Sequence, residues 1–169
     1  MRALPIIASL GATLTLVACA PEQTAEQKAA ADAADIAAVE RAQQVPPEPI
    51  DPQPIAFADI EKNDVFGASC SFIPETGGTD PIVLAMERAG WMKIKGEMMR
   101  FAPDAGSAAL PLGARGRYTG TKYAYTLDIA EGEGKQAGSE TMDFPARFVV
   151  TDERDQIAYE ANGTAQCGS

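Results

Sequence analysis

Histidine is absent from this chain of 169 residues. Its absence removes the commonest general base at neutral pH and the commonest protein ligand of transition metals. Catalytic sites of the Ser-His-Asp and Cys-His kinds are therefore excluded. Of the usual catalytic strategies, those that rely on carboxylates or lysine remain open.

Basic residues are also scarce. The chain has 14 lysines and arginines against 24 aspartates and glutamates, a formal net charge of −10. Residues 20–64 carry ten acids and three bases, and residues 65–169 carry fourteen acids and ten bases. Binding to a polyanion requires clusters of lysine and arginine on the phosphates. We therefore expect no nucleic-acid partner.

The chain has one apolar run near its start, and that run is short. Arg2 supplies a positive charge, residues 4–17 are uncharged and mostly apolar, and small residues lead up to Cys19. A transmembrane helix needs roughly 20 apolar residues to cross the hydrocarbon core. Residues 1–18 are therefore predicted to be a secretory signal peptide.

The segment Leu16-Val17-Ala18-Cys19 resembles the lipobox of bacterial lipoproteins, which type II signal peptidase cleaves before the cysteine. The resemblance implies that Cys19 becomes the first residue of the mature protein and carries acyl chains, palmitate among them. Several acyl chains on one residue anchor a protein stably in a membrane. Ala20 resembles an outer-membrane sorting signal of Gram-negative lipoproteins, so we expect a cell-envelope protein on the periplasmic face of the outer membrane. The alternative is a secreted protein with a chance cysteine.

Only three cysteines are present, and two remain once Cys19 is acylated. Cys70 and Cys167 would then lie in an oxidising periplasm, where a disulfide bond is expected. The alternative is a redox or metal-binding pair, but no C-x-x-C motif and no further ligands accompany them. We predict no metal site and no cofactor.

The residues after Cys19 have the composition of a tether. Residues 22–44 are rich in alanine, glutamate and glutamine without glycine or proline, which predicts a helix. Its only large apolar residues are Ile36 and Val39, so it should be solvated rather than part of a coiled coil. Alternating prolines in residues 45–54 favour a polyproline II spacer. Residues 19–56 are therefore predicted to be the tether.

Residues 57–169 are predicted to be one folded β-domain. A short helical turn in residues 55–64, with Phe57 and Ile60 buried, should lead into it. Short segments separated by turn residues then follow, which is typical of strands and hairpins. The predicted strands are residues 65–73, 82–87, 90–94, 97–101, 114–119, 122–130, 144–151 and 157–163.

The predicted fold class is mainly β. About eight short strands suggest a small antiparallel meander, closed or nearly closed as a barrel, preceded by the alanine-rich helix and the proline-rich linker. A disulfide bond between the first strand and the C-terminal end fits a barrel, in which the first and last strands meet. A small β-sandwich is the alternative.

Four residues are candidates for binding. Trp91 either covers the core or offers an aromatic surface to a ligand. Arg115, Arg117 and Tyr118 follow a loop and are candidates for recognising a carboxylate or a sugar, although an exposed strand face explains them equally. No catalytic residue is assigned.

The domain is also similar to the periplasmic inhibitors of c-type lysozyme, which are lipid-anchored, acidic, disulfide-bonded barrels of eight strands. An acidic surface suits a basic lysozyme, but residues 113–118 do not clearly match the inhibitory loop of that family.

We expect a non-enzymatic cell-envelope lipoprotein whose β-domain binds a partner or ligand. One alternative is a lysozyme-inhibitor-like protein, and another is a purely structural role in assembly. The third is a carboxylate-dependent envelope hydrolase, which would need two acids roughly 5–10 Å apart. Asp128 and Asp143 are the acids considered for it, and the sequence alone does not place them that close.

Overall fold

The structure, a computed structural model, describes residues 24–43, 45–132 and 134–169. Its contacts divide the chain into two units, Met1–Val45 and Pro46–Ser169. The predicted signal peptide and Cys19 lie outside the described residues.

In the first unit, the described residues form a helix, α1 (Ala25–Gln43). Thr24 and Gln27 form a reciprocal cap: the Thr24 hydroxyl accepts the Gln27 N–H at 3.2 Å, and the Gln27 side chain accepts the Thr24 N–H at 2.9 Å. No residue of α1 is buried, so the helix is stabilised by this cap and by the helix propensity of alanine. The predicted alanine-rich helix is confirmed. None of the helices described is long and apolar enough to span a membrane.

The second unit is a closed antiparallel barrel of eight strands with two short additional strands. The additional strands are β1 (Pro52–Gln53) and β8 (Lys135–Gln136). The barrel strands are β2 (Ser69–Pro74), β3 (Val83–Ala85), β4 (Gly90–Ile94), β5 (Glu97–Pro103), β6 (Arg117–Thr119), β7 (Tyr123–Ile129), β9 (Met142–Asp152) and β10 (Ile157–Gly168).

Each barrel strand pairs with the next one along the chain, and β10 pairs with β2 to close the sheet. The predicted meander and barrel are therefore confirmed, and the sandwich alternative is wrong. The tight turn between β4 and β5 consists of Lys95 and Gly96. Lys95 and Gly96 both have positive φ, 52° and 83°, as a two-residue hairpin turn of this hand requires.

Several strand limits differ from the predicted ones because distant segments decide the pairing. Val65, predicted to begin the first strand, packs outside the barrel instead, and β2 begins at Ser69. The fifth predicted strand, residues 114–119, is shorter in the structure, where β6 begins at Arg117, after a turn at Pro111–Gly113. The predicted loop of residues 131–140 contains β8, which pairs with the start of β9.

The barrel interior is filled by side chains. Phe72 stacks on Phe148 with ring centroids 5.1 Å apart, and Tyr118 stacks on Tyr125 at 4.9 Å. In β7 the fully buried Tyr125 and Leu127 flank the less buried Thr126, as in a strand with one face on the core. Ala124 on the same strand is buried as well. This filling is typical of small barrels whose interior is a packed core.

The disulfide bond predicted between Cys70 and Cys167 is present. The two cysteines are directly opposite each other on β2 and β10, so the bond crosses the seam between the first and last barrel strands. It closes a loop with a sequence separation of 97 residues. On the chain-entropy model, such a loop stabilises the fold by on the order of 4–5 kcal/mol.

Residues 50–64, which we call the strap, lie on the outside of the barrel. The Ile50 N–H bonds to the Ala158 carbonyl at 3.2 Å, and the Ile55 N–H bonds to the Pro81 carbonyl at 2.8 Å. Residues 50–56, which belong to the predicted tether, therefore bond to the barrel. The reason is that β3 is too short to pair with the end of β4, so β1 pairs with Lys93 and Ile94 in its place.

The strap also contains α2 (Phe57–Asn63). Asp59 accepts the Ala56 N–H at 2.9 Å and an ion-paired hydrogen bond from Lys93 on β4 at 2.8 Å, which fixes the helix to the barrel. Ile60 packs against a cluster on the outer face of the barrel, as predicted. The prediction that Phe57 is buried is wrong, since Phe57 is 66% exposed. The side chain of a helical residue packs over the turn before it, and Phe57 is the first residue of α2, so no such turn is present.

Candidate binding groove

A groove lies on the outer surface of the barrel where the C-terminal end of the strap meets the turn between β3 and β4. Its volume is about 390 Å³. The lining residues are Asp64, Val65, Phe66, Gly67, Ala68, Met86, Glu87, Arg88, Ala89, Trp91, Arg100 and Leu112. We call it the Phe66–Leu112 groove.

Two large apolar side chains in this lining face solvent. Phe66 is 58% exposed and Leu112 is 46% exposed. Leu112 has φ +58°, a left-handed conformation that is uncommon and strained for a branched side chain. Its turn is closed by backbone hydrogen bonds, from the Ala114 N–H to the Pro111 carbonyl at 3.2 Å and from the Leu110 N–H to the Ala114 carbonyl at 2.9 Å. Backbone strain that the surrounding structure maintains is found often at functional sites.

Trp91 gives the groove an aromatic wall. It projects from β4 on the outer face, between Leu84 of β3 and Arg100 of β5 in the strand register. Its ring packs against a small cluster of Ile55, Val65 and Leu84, so the strap supports the tryptophan. Trp91 is partly exposed, and therefore both covers this cluster and offers an aromatic surface to a ligand.

A buried tyrosine organises the segments around the groove. The Tyr118 hydroxyl donates to the Met86 carbonyl at 2.7 Å and accepts the Arg115 N–H at 2.9 Å. Burial raises the pKa of Tyr118, and the hydrogen bond from the Arg115 N–H, followed by the positive charge of Arg115, partly opposes that rise. The tyrosine therefore stays neutral and joins the turn between β3 and β4 to the loop that carries Arg115.

The predicted binding residues have three different outcomes. Trp91 lines the groove, whereas Arg115 does not; the backbone N–H of Arg115 bonds to the Tyr118 hydroxyl, which bonds in turn to the carbonyl of Met86 in the lining. Arg117 does not line this groove and forms an ion pair with Asp155 at 3.7 Å. Tyr118 is fully buried in the barrel and does not line the groove.

Sequence reasoning missed Phe66 and Leu112. A signal was present, since Leu112 is an apolar residue inside a loop rich in alanine, glycine and proline, where no strand pattern requires it. Phe66 lies within the predicted strand of residues 65–73, and an apolar residue is ordinary in a strand. Their exposure depends on how the strap and the loop meet, which period-two patterning does not address.

The acids considered for a hydrolase are far apart. Asp128 is opposite Arg147 on β9, and Asp143 lies four residues earlier on the same strand. At a rise of about 3.3 Å per residue, four residues span roughly 13 Å, which is more than the roughly 5–10 Å of paired catalytic acids. Asp143 instead accepts a hydrogen bond from Gln166 at 3.0 Å.

Within the part of the chain that the structure describes, no group of three or more histidine, cysteine, aspartate and glutamate side chains is arranged to hold a metal ion.

The family model of DUF6692, a domain of unknown function, matches residues 15–169, which takes in the lipobox-like segment, the tether and the whole barrel. The chain has no match among curated proteins and none among solved structures. The chain belongs to the DUF6692 family.

Proposed function

We propose that this protein is a lipid-anchored, non-enzymatic protein of the cell envelope whose barrel binds a partner protein in the Phe66–Leu112 groove. The observation that carries the proposal is the pair of exposed apolar side chains, with Leu112 held in a left-handed conformation. Apolar side chains gathered around a depression on a soluble protein mark interaction sites. Tryptophan and arginine, which also line this groove, are enriched among the residues that dominate binding at interfaces.

Three features support an anchor at Cys19. The lipobox-like segment precedes it, and the disulfide bond engages the other two cysteines, which leaves Cys19 as the third. A capped, solvent-exposed helix follows in α1. A disulfide bond also suits an oxidising compartment such as the periplasm, and Ala20 favours the outer membrane over the inner one.

The test of partner binding is photo-crosslinking in cells that express the anchored protein. A photo-reactive phenylalanine analogue replaces Leu112, and a matched control places it at Ile157, an exposed apolar residue that does not line the groove. We expect one dominant crosslinked envelope protein from the Leu112 position and none from Ile157. A diffuse pattern from both positions would contradict the proposal.

The anchor has a separate test. Metabolic labelling with a palmitate analogue should mark the wild-type protein and leave a Cys19→Ser variant unlabelled and in the soluble fraction. Equal labelling of the two proteins would rule out Cys19 as the lipidated residue.

Inhibition of c-type lysozyme is the second candidate function. It is favoured by a barrel of eight strands with a disulfide bond between its first and last strands and by the net charge of −10. The test adds the mature chain, with Cys19→Ser so that it is not acylated, to a c-type lysozyme at micromolar concentration. Unchanged lysozyme activity would eliminate this candidate.

A further inference from the structure

We infer that the Phe66–Leu112 groove binds a segment of the partner protein that presents a large apolar side chain next to a carboxylate. The inference rests on the proposed function, because it specifies the chemistry of the partner for the same groove. Two independent observations support it. The first is the set of apolar side chains that line the groove, and the second is the arginines in its lining, which have no ion-pair partner among the described residues.

Two arginines line the groove in a protein that is otherwise acidic. They are Arg88 and Arg100, and a guanidinium nitrogen of Arg100 donates to the Arg88 carbonyl at 3.3 Å. The described residues contain no carboxylate within 4 Å of either guanidinium group, whereas Arg117, Arg147 and Arg154 are all ion-paired.

The acids of the groove leave these arginines available. Asp64 and Glu87 belong to the lining, and neither forms an ion pair among the residues described. The side chain of Glu87 lies against Gly113, where an added Cβ would be 3.1 Å from its Cγ. A guanidinium presents a planar fork of donors that matches a carboxylate, so an incoming carboxylate is the complementary group.

The apolar residues of the groove account for the second feature of the partner segment, its large apolar side chain. Phe66, Leu112, Trp91 and Met86 surround a volume of about 390 Å³. That volume is near the lower end of the range of about 300–1,000 Å³ for ligand sites, so it suits a short anchor rather than a whole helix. The flexible Met86 side chain lets the groove adapt to the shape of that anchor.

Trp91 makes the inference directly measurable, because it is the only tryptophan in the chain. The assay titrates the mature chain, with Cys19→Ser, with three capped peptides and follows tryptophan emission. The peptides are acetyl-Leu-Glu-Leu-amide and its counterparts with glutamine or lysine in the middle. We expect the glutamate peptide to bind about tenfold more tightly than the glutamine peptide, since a charge-assisted hydrogen bond contributes about that factor or more.

The variant that tests the charge is the double substitution Arg88→Gln with Arg100→Gln. It should remove the tenfold preference for glutamate over glutamine. The matched control is Arg147→Gln, which removes an arginine that is ion-paired with Glu160 outside the groove. This control should retain the preference.

The outcomes separate the inference from the proposed function. Equal binding of all three peptides, lost in a Leu112→Ser variant, would overturn the carboxylate preference and leave the groove as a binding site. No response to any peptide at millimolar concentration would overturn the inference, while the crosslink from Leu112 decides the proposed function independently. A response to vesicles containing phosphatidylglycerol, but to none of the peptides, would overturn it in favour of a lipid surface.

Discussion

The hydroxyl group of Tyr125 occupies the space where a Cβ atom would lie on Gly90. Gly90 is buried at the start of β4, and Tyr125 reaches it from β7 across the barrel interior. Tyr118 is the next neighbour, with a ring carbon that would be 2.8 Å from such a Cβ. The barrel therefore requires glycine at this position because two tyrosines fill the space above it.

We predict that Gly90→Ala lowers the free energy of unfolding by about 1–3 kcal/mol, the usual cost of overpacking a core. Tyr125→Phe removes the hydroxyl and should recover part of this loss in the double variant. Urea unfolding of the wild type, both single variants and the double variant measures the coupling. Strict additivity of the two substitutions would contradict the packing relationship.

At Leu112 we predict that a substitution does not lower the free energy of unfolding. Leu112→Gly should keep or raise the free energy of unfolding, by up to about 1 kcal/mol, because glycine adopts a positive φ without strain. The same substitution should weaken crosslinking and peptide binding, since it removes the apolar side chain at the groove. Thermal unfolding and the Trp91 titration together test this separation of stability from binding.

The control for Leu112→Gly is Gly113→Ala. Gly113 has φ +79°, and an added Cβ would approach the side chain of Glu87, so alanine should destabilise the turn. A loss of stability in Leu112→Gly as large as that in Gly113→Ala would show that the left-handed conformation at Leu112 is not strained.

The ion pair of Asp59 and Lys93 predicts a pH-dependent attachment of the strap. The hydrogen bond from Lys93, with a second one from the Ala56 N–H, holds the pKa of Asp59 below its usual value. A lowered pKa in the folded state stabilises the protein above the unfolded pKa of about 3.9, and this contribution is lost as the pH falls through the folded pKa.

Asp59→Asn should therefore unfold more easily than the wild type at neutral pH, and the difference should shrink from about pH 5 to about pH 2. The matched control is Glu48→Gln, because Glu48 and Lys95 form a highly exposed pair at 3.5 Å that should contribute little. Denaturant unfolding at several pH values measures both. A difference between Asp59→Asn and wild type that does not change with pH would refute the prediction.

Tyr125 predicts a loss of stability at high pH. Its complete burial raises its pKa well above 10, so it ionises in the unfolded chain before it ionises in the barrel. Folding then retains a proton that the unfolded state releases, and stability falls by about 1.4 kcal/mol per pH unit above pH 10 for one such tyrosine. Tyrosinate absorbance should appear together with the loss of folded circular dichroism in an alkaline titration.

Tyr125→Phe provides the control for this titration. It should shift the alkaline unfolding midpoint upward, because a phenylalanine at that position has no proton to lose. An unchanged midpoint would mean that another group, rather than Tyr125, governs alkaline unfolding.

The sequence by itself determined the local features of this protein. The alanine-rich composition of residues 22–44 predicts the helix, and the turn residues between short segments predict strands and hairpins. The two cysteines other than Cys19 were sufficient to predict the disulfide bond. The helix and the strands depend on residues close together in the chain. The disulfide bond was predictable because each of the two cysteines has only one partner.

Only the tertiary structure decided which outward-facing residues are covered and which remain exposed. Tyr118 lies in the predicted strand of residues 114–119, but its burial depends on the closure of the barrel around it. The strap attaches to the barrel because β3 is too short for β4, and it covers Leu84 while Phe66 remains exposed. Burial on the outer face is set by segments far apart in the sequence, and no local pattern contains that information.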